Sequence, residues 1–219
     1  MSDEIGFLRK HGVTLFLDVG ANTGQTGEML RKAKWRGRIV SFEPIAQCFE
    51  KLARKAASDP DWRVLHTAIG REDGTDRIGV SENFASSSLL EATPELIDIH
   101  APVRYTRREE IRVARLDTLF PDLARAEDVV HLKIDTQGFE RFVIEGAGQA
   151  LDRIFSVRME VAVSVVYKGE TVVPEAITDM SRRGFVLVDA WPAWRHPETK
   201  EVLHFDLLFR RRGAGDLGA

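Results

Sequence analysis

The sequence predicts an α/β fold, a mostly parallel seven-stranded sheet with helices on both faces that ends in an antiparallel hairpin. Three observations carry this reading. Short runs rich in β-formers alternate with segments of helical periodicity, which is the pattern of a parallel sheet wrapped by crossover helices. The early runs are almost continuously apolar, as strands buried on both faces must be. The last two runs follow one another with no helical pattern between them, so they pair directly as a hairpin.

The elements follow in order. Val13 to Val19 is the first central strand, ended by Gly20. Met29, Leu30 and Ala33 recur at helical spacing until Gly37 breaks the pattern. Arg38 to Phe42 is the second strand, and Pro44 opens a helix at a first-turn position where its missing N–H is tolerated. Phe49, Leu52, Ala53 and Ala56 form the buried stripe of that helix. Arg63 to Ile69, Val129 to Ile134 and Val157 to Val166 are the third, fourth and fifth strands. A helix from about Pro174 to Arg183 precedes the hairpin strands Phe185 to Val188 and Leu203 to Phe209. We expect a single domain over residues 1–211, with 212–219 as a flexible tail.

With 219 residues, 43% hydrophobic and 30% charged, the chain can build a core without metal or disulfide staples. Cys48 is its one cysteine, so no internal disulfide framework is available, and a reducing, cytoplasmic setting is expected. The acidic opening Met1-Ser2-Asp3-Glu4 is not followed by the apolar stretch of a secretory signal, and no membrane span is expected. A net charge of -3 lacks the basic excess of a nucleic-acid binder, so no nucleic-acid partner is expected.

Asp18-Val19-Gly20-Ala21-Asn22-Thr23-Gly24 lies where the first strand gives way to the first helix, the place where open α/β sheets bind ligands. A dinucleotide fingerprint places a glycine where this chain has Asn22, and Asp18 would repel a diphosphate. The same carboxylate favours a cationic ligand, while Gly20 and Gly24 allow a tight turn. Glu43 ends the second strand 19 residues after Gly24, near the spacing at which an acid grips ribose hydroxyls. Together the two acids describe a pocket for a nucleoside with a positively charged tail, S-adenosyl-L-methionine rather than NAD or ATP. The bland alternative makes Asp18 a helix cap and Glu43 a solvated surface charge. The expected cofactor-binding set is Asp18, Gly20, Ala21, Asn22, Thr23, Gly24, Glu43, Pro44, Thr67, Ala68 and Asp135.

From Val13 through Arg211 the sequence resembles the class I S-adenosylmethionine-dependent methyltransferases, which have a Rossmann-like fold, and within them the FkbM family. The carriers are Phe16 to Gly24, Phe42-Glu43-Pro44, Ala85 to Leu89, Leu116 to Leu119, Lys133 to Glu140 and Asp206 to Phe209. One departure is Gln137, where the family usually has an acid. The resemblance implies methyl transfer to an oxygen, commonly a hydroxyl of a sugar or a polyketide-type natural product. The implied acceptor is therefore a hydroxylated small molecule: a saccharide, a glycolipid precursor or a secondary metabolite.

Displacement at a sulfonium methyl needs alignment above all, but a protonated alcohol is a poor nucleophile and a nearby base helps. Asp135, at the end of the fourth strand, is the leading catalytic candidate and Glu160, in the fifth, the second. Asp135 is equally readable as a cap of the turn near Gly138 and Phe139. A divalent cation is not expected, although Asp135, Glu140 and Glu160 supply the oxygen chemistry that suits magnesium. His66, His131 and His204 sit in apolar strand patterns and read as packed histidines.

The long insertion at about 81–115 is read as substrate-facing. Ser86, Ser87 and Ser88 offer hydroxyls to a polyol, or are ordinary turn residues. Arg104, with Arg107, Arg108, Arg112 and Arg115, offers positive charge to an anionic acceptor, or belongs to a solvated strand pair or a homodimer contact. Tyr167, Trp191 and Trp194 have rings able to stack on a sugar, or only cover the sheet edge. Two rival functions remain: a nucleic-acid base methyltransferase, disfavoured because Asp135-Thr136-Gln137-Gly138 lacks the Pro-Pro-aromatic motif of such enzymes, and a non-catalytic partner subunit that keeps the nucleoside pocket.

Overall fold

A computed structural model of the chain describes residues 2–213. Helix α1 (Ser2–Lys10) leads into β1 (Leu15–Val19), α2 (Gln25–Lys32), β2 (Arg38–Phe42), α3 (Ala46–Ala56) and β3 (Trp62–Leu65). Then come β4 (Ala68–Ile69), β5 (Gly74–Ser81), α4 (Pro94–Ile99), β6 (Tyr105–Ala114) and α5 (Leu116–Leu119). The second half contains β7 (Val130–Ile134), α6 (Glu140–Ala147), β8 (Ile154–Ala162), α7 (Val173–Arg182), β9 (Phe185–Arg195) and β10 (Val202–Arg211).

The main sheet has seven strands in the order β3-β2-β1-β7-β8-β10-β9. Every pair from β3 to β8 is parallel, and β10 runs antiparallel to both of its neighbours. The order reverses between β2 and β7 on either side of β1, so a crevice opens beyond the C-terminal ends of these three strands. All five residues of β1 are buried, as its apolar run predicts. Leu15, Leu17 and Val19 join one core cluster, and Phe16 joins a second with Leu30, Trp35, Leu52 and Trp62.

Three expectations change. The strand expected over 63–69 is split: β3 stays in the main sheet, while β4 pairs in parallel with β6 in a separate three-stranded sheet, β4-β6-β5. Thr67 makes the break, its hydroxyl donating to the carbonyls of Ala68 (3.0 Å) and Arg112 (3.1 Å). The fifth strand runs over Ile154–Ala162, not to Val166, and Val163 and Val165 leave it exposed. Pro44 stands before the helix it was expected to open, with Ile45 at the N-cap and Ala46 as first residue.

The insertion contributes β6 and α4, and the second sheet packs Ile78, Val80, Ile111 and Val113 against Ile45, Cys48 and Ala68. Arg107, Arg108 and Arg112 lie in β6, with Arg107 paired to Glu109 and Arg108 to Glu91, while Arg115 at the start of α5 pairs with Asp117. The tail expected from residue 212 lies, from 214 on, outside the described residues.

Gly146 fixes how closely α6 approaches the end of β4, because a Cβ there would lie 1.8 Å from the Gly70 carbonyl oxygen just past that strand. Gly146→Ala is therefore expected to destabilise the protein by about 1–3 kcal/mol through overpacking. Urea unfolding reads this as a lower midpoint at unchanged slope.

Candidate active site

The turn after β1 is held by backbone bonds. The amides of Gly20 (3.1 Å) and Ala21 (3.0 Å) both donate to the Phe42 carbonyl. Gly20 has φ +78°, and a Cβ on it would meet the Asp135 carbonyl oxygen at 1.9 Å, so two loops touch here through bare backbone. Asn22 takes a left-handed φ of +50°, a conformation that asparagine tolerates better than most residues.

Glu43 is buried and organises this rim. Its Oε2 accepts the Asn22 amide at 2.7 Å and its Oε1 the Ile45 amide at 2.8 Å. Burial outweighs these bonds and pushes its carboxyl up to about 7. Beside it opens a cleft of about 560 Å³, solvent at its mouth included. Its floor is Gly20, Asn22, Glu43 and Asp135, and its apolar walls are Phe42, Ile45, Ile69, Ile78 and Phe139. Phe84, Ala85, Ser87 and Leu89 of the insertion close one side.

A second cleft, of about 670 Å³, shares Ala85 and Gln137 with the first. Around it stand Asn83, Ser86, His100, Glu160, Tyr167, Trp194 and His204. Trp194 lies between two imidazoles, 5.8 Å from His100 edge-on and 5.7 Å from His204 in a stacked arrangement.

Under both clefts runs a row of charges. The Lys133 ammonium lies 3.1 Å from Asp18 Oδ1 and 3.5 Å from Asp135 Oδ2. Burial opposes the charge on Lys133, but Asp18 and Asp135 reverse that effect and its pKa is raised. Burial likewise opposes the charge on Asp135, yet Lys133, the Gln137 amide and Arg158 hold its carboxyl below the usual range. Glu160 goes the other way, raised well above the ordinary carboxylate range by burial and then by the negative charges of Asp135, Glu140 and Asp206. Gln137 Nε2 joins the two acids, 3.1 Å from Asp135 Oδ1 and 2.9 Å from Glu160 Oε2.

The expected site residues are therefore partly brought together. Gly20, Asn22, Glu43, Pro44, Ala68 and Asp135 line the first cleft. Asp18 was expected to face a cationic ligand; it is instead fully buried, paired with Lys133, and is not among the lining residues. Ala21, Thr23, Gly24 and Thr67 shape the surrounding backbone, with Gly24 capping α2 in a left-handed conformation.

The serines turn their hydroxyls toward the protein. Ser86 Oγ accepts from Asn83 Nδ2, Ser87 Oγ accepts the Ser81 amide, and Ser88 Oγ donates to the Gln137 carbonyl. Arg104 is exposed and lines neither cleft. The turn after β7 is capped by Glu140, whose Oε1 accepts the Thr136 amide at 2.8 Å, and not by Asp135. Among the described residues no group of three or more His, Cys, Asp or Glu is gathered to hold a metal ion. His131 is buried against Ser156, while His204 faces the second cleft.

Residues 18–187 match the Methyltransferase FkbM domain. The chain belongs to the FkbM family of S-adenosylmethionine-dependent methyltransferases. A relative named Methyltransferase 1, from Beauveria bassiana (strain ARSEF 2860), is 22% identical over 199 residues, covering 85% of this chain and 78% of its own. Among solved structures, the methyltransferase domain of bacterial CtHen1-C is similar with a TM-score of 0.52 at 9% identity, covering 97% of this chain and 96% of that one. Aeropyrum pernix fibrillarin with natively bound S-adenosyl-L-methionine is similar with a TM-score of 0.50 at 11% identity, covering 90% and 66%. At these identities the structural likeness shows the fold.

Two outcomes check the electrostatics of this FkbM-family site. Lys133→Met leaves buried Asp18 without its cation and is expected to cost about 3–5 kcal/mol in urea unfolding. Glu43 binds its proton more tightly folded than unfolded, so its contribution to stability falls as pH rises from 4.5 to about 7. Glu43→Gln is therefore expected to gain stability relative to wild type across that window, read by thermal unfolding in a pH series.

Proposed function

We propose that this protein transfers a methyl group from S-adenosylmethionine in the first cleft to a hydroxyl of an uncharged small molecule in the second. A saccharide or hydroxylated natural product is the acceptor class. The observation that carries the reading is the meeting of the two clefts at Ala85 and Gln137, with Asp135 on the first side and Glu160 on the second.

The first cleft suits the donor. Its apolar walls match the faces of a purine. Glu43 stands at the rim with lone pairs left for a ribose diol after its two backbone bonds. Asp135, with a side chain 40% exposed, is the carboxylate that reaches the cleft and meets a cationic tail, and Asp18 acts on it through Lys133. S-adenosylmethionine, when bound, supplies an electrophilic methyl on a sulfonium whose sulfur leaves neutral.

Burial and neighbouring anions raise the proton affinity of Glu160, the direction wanted of a proton acceptor, whereas Lys133 and the Gln137 amide lower that of Asp135. The acceptor hydroxyl gives its proton to Glu160 as the new C–O bond forms and the C–S bond breaks. Asp135 keeps its charge throughout. Trp194, between His100 and His204, offers a flat face for a ring, and neither lysine nor arginine lines this cleft, which disfavours a phosphorylated acceptor. The same lack of cations weighs against a nucleic-acid substrate.

Calorimetric titration with S-adenosylmethionine tests the donor site: Glu43→Ala is expected to weaken binding at least about tenfold, the loss of roughly one charged hydrogen bond. Unchanged affinity rejects the pocket. Incorporation of labelled methyl into a panel of sugars, hydroxylated metabolites and RNA tests the acceptor, with transfer confined to RNA defeating the proposal. On the acceptor so found, Glu160→Gln is expected to lower turnover by about 10² to 10⁴ while leaving donor affinity intact. Wild-type protein that binds donor yet methylates nothing in the panel favours a non-catalytic module.

A further inference from the structure

Between the two clefts one neutral side chain touches both acids. We propose that Gln137 is a positioning residue that holds Asp135 and Glu160 side by side through its single amide, fixing the direction of Glu160 and the pH at which it takes up a proton. The proposal deepens the reading of Glu160 as proton acceptor and rests on it.

The geometry leaves Gln137 little freedom. Its backbone is in the left-handed region at φ +57°, and its carbonyl accepts the Ser88 hydroxyl at 2.7 Å. Ser88 Oγ in turn accepts the Leu90 amide at 3.0 Å, so the insertion anchors the residue. The two N–H bonds of the amide diverge, one toward Asp135 Oδ1 at 3.1 Å and one toward Glu160 Oε2 at 2.9 Å. Its Oε1 faces the Tyr167 hydroxyl at 3.2 Å, and that hydroxyl shares its proton with the Ser86 carbonyl. The NH₂ group must therefore face the carboxylates, since the reverse orientation would set an oxygen against two anions.

The other groups around the pair do not replace it. Lys133 from β7 and Arg158 from β8 favour the ionised form of Asp135. Glu140 from α6 and Asp206 from β10 raise Glu160, and His204 from β10 lines the same cleft. Gln137 is the group seen to donate hydrogen bonds to both acids at once. Donors to the charged form of a carboxyl lower its pKa, so the Gln137 amide opposes the rise that burial and the neighbouring anions impose on Glu160. A glutamate at this position would lose both donors and add a third negative charge.

The test needs neither donor nor acceptor. The full chain, labelled with ¹³C at aspartate and glutamate side-chain carboxyls, is titrated by NMR, with the Asp135 and Glu160 signals assigned by Asp135→Asn and Glu160→Gln. Gln137→Met keeps length and removes both donors. It is expected to move the Glu160 midpoint up by about one pH unit, a tenfold change in proton affinity. Gln137→Asn, one methylene shorter, cannot reach both acids and is expected to move it in the same direction by less. A midpoint that stays put or falls, in whichever variant keeps the wild-type unfolding temperature, overturns the proposal. A residue that only packed the wall would leave the titration unmoved. This result is independent of methyl transfer: Glu160→Gln with full turnover sinks the role of Glu160 and leaves the titration standing.

Discussion

Everything at the C-terminal edge of the sheet depends on one buried ammonium between two carboxylates. Lys133 sits where an isolated charge would be untenable, and it is tolerated because Asp18 from β1 and Asp135 past β7 both reach it. The strand register makes this so, with Asp18 opposite Lys133 and Lys133 opposite Arg158. The row continues outward: Arg158 donates to both oxygens of Asp206 on β10, each at 2.9 Å, and to Glu4 of α1 at 2.8 Å. A slip of β7 by one residue would turn Lys133 to the opposite face and strand Asp18 on the neighbouring strand. Such pairs add little net stability over apolar packing, but they are costly to break singly, so this row serves to specify register.

The parts of this architecture that the sequence reveals are those set by local pattern. β1, β2 and β7 appear close to where their apolar runs lie, because strands buried on both faces leave no ambiguity about burial. The break at Thr67 was not legible, since it depends on a hydroxyl bonding Arg112 across 45 positions of sequence. The direction of Asp18 was misread for a simpler reason. It lies within the strand, its side chain among those on the sheet face, while the crevice lies beyond the strand end, where Gly20, Asn22 and Asp135 stand. A signal was available in the period of two: Lys133 precedes Asp135 by two residues, as Arg158 precedes Glu160, so each cation shares a sheet face with the acid beyond it. Glu4 and Tyr167 gave no such signal, being placed by long-range packing.

The insertion borders the two candidate clefts, though by different atoms from those expected. Its serine hydroxyls bond within the loop or to the Gln137 carbonyl, and what else reaches the clefts is Phe84, Ala85 and Leu89 on one side and Asn83, Leu96, His100 and Val103 on the other. Loops built this way shield a reacting centre from water while leaving polar recognition to residues rooted in the sheet. Arg108 and Arg112 lie on the face of β6 opposite the packed Ile111 and Val113, while Arg107 shares the packed face and lies over the Phe84 ring. The ion pairs of Arg107 and Arg108 are solvent-screened and weak.

The two acids at the junction show how one scaffold sets the proton affinities of neighbouring carboxyls apart, as the proposed reaction requires. Asp135 and Glu160 lie on adjacent strand ends and touch the same amide, yet their proton affinities diverge in opposite directions. Asp135 has Lys133 at its back; Glu160 has burial and three neighbouring anions. A permanent charge is useful beside a cationic donor, because it need not change during the reaction. A weakly acidic carboxyl is useful beside a hydroxyl, because it must gain a proton within it. Were the affinities equal, the pair would share one proton and neither task would be done well. The asymmetry is built from β7, which carries the lysine toward one acid and away from the other, and so the same strand register that closes the sheet also sets the two proton affinities apart.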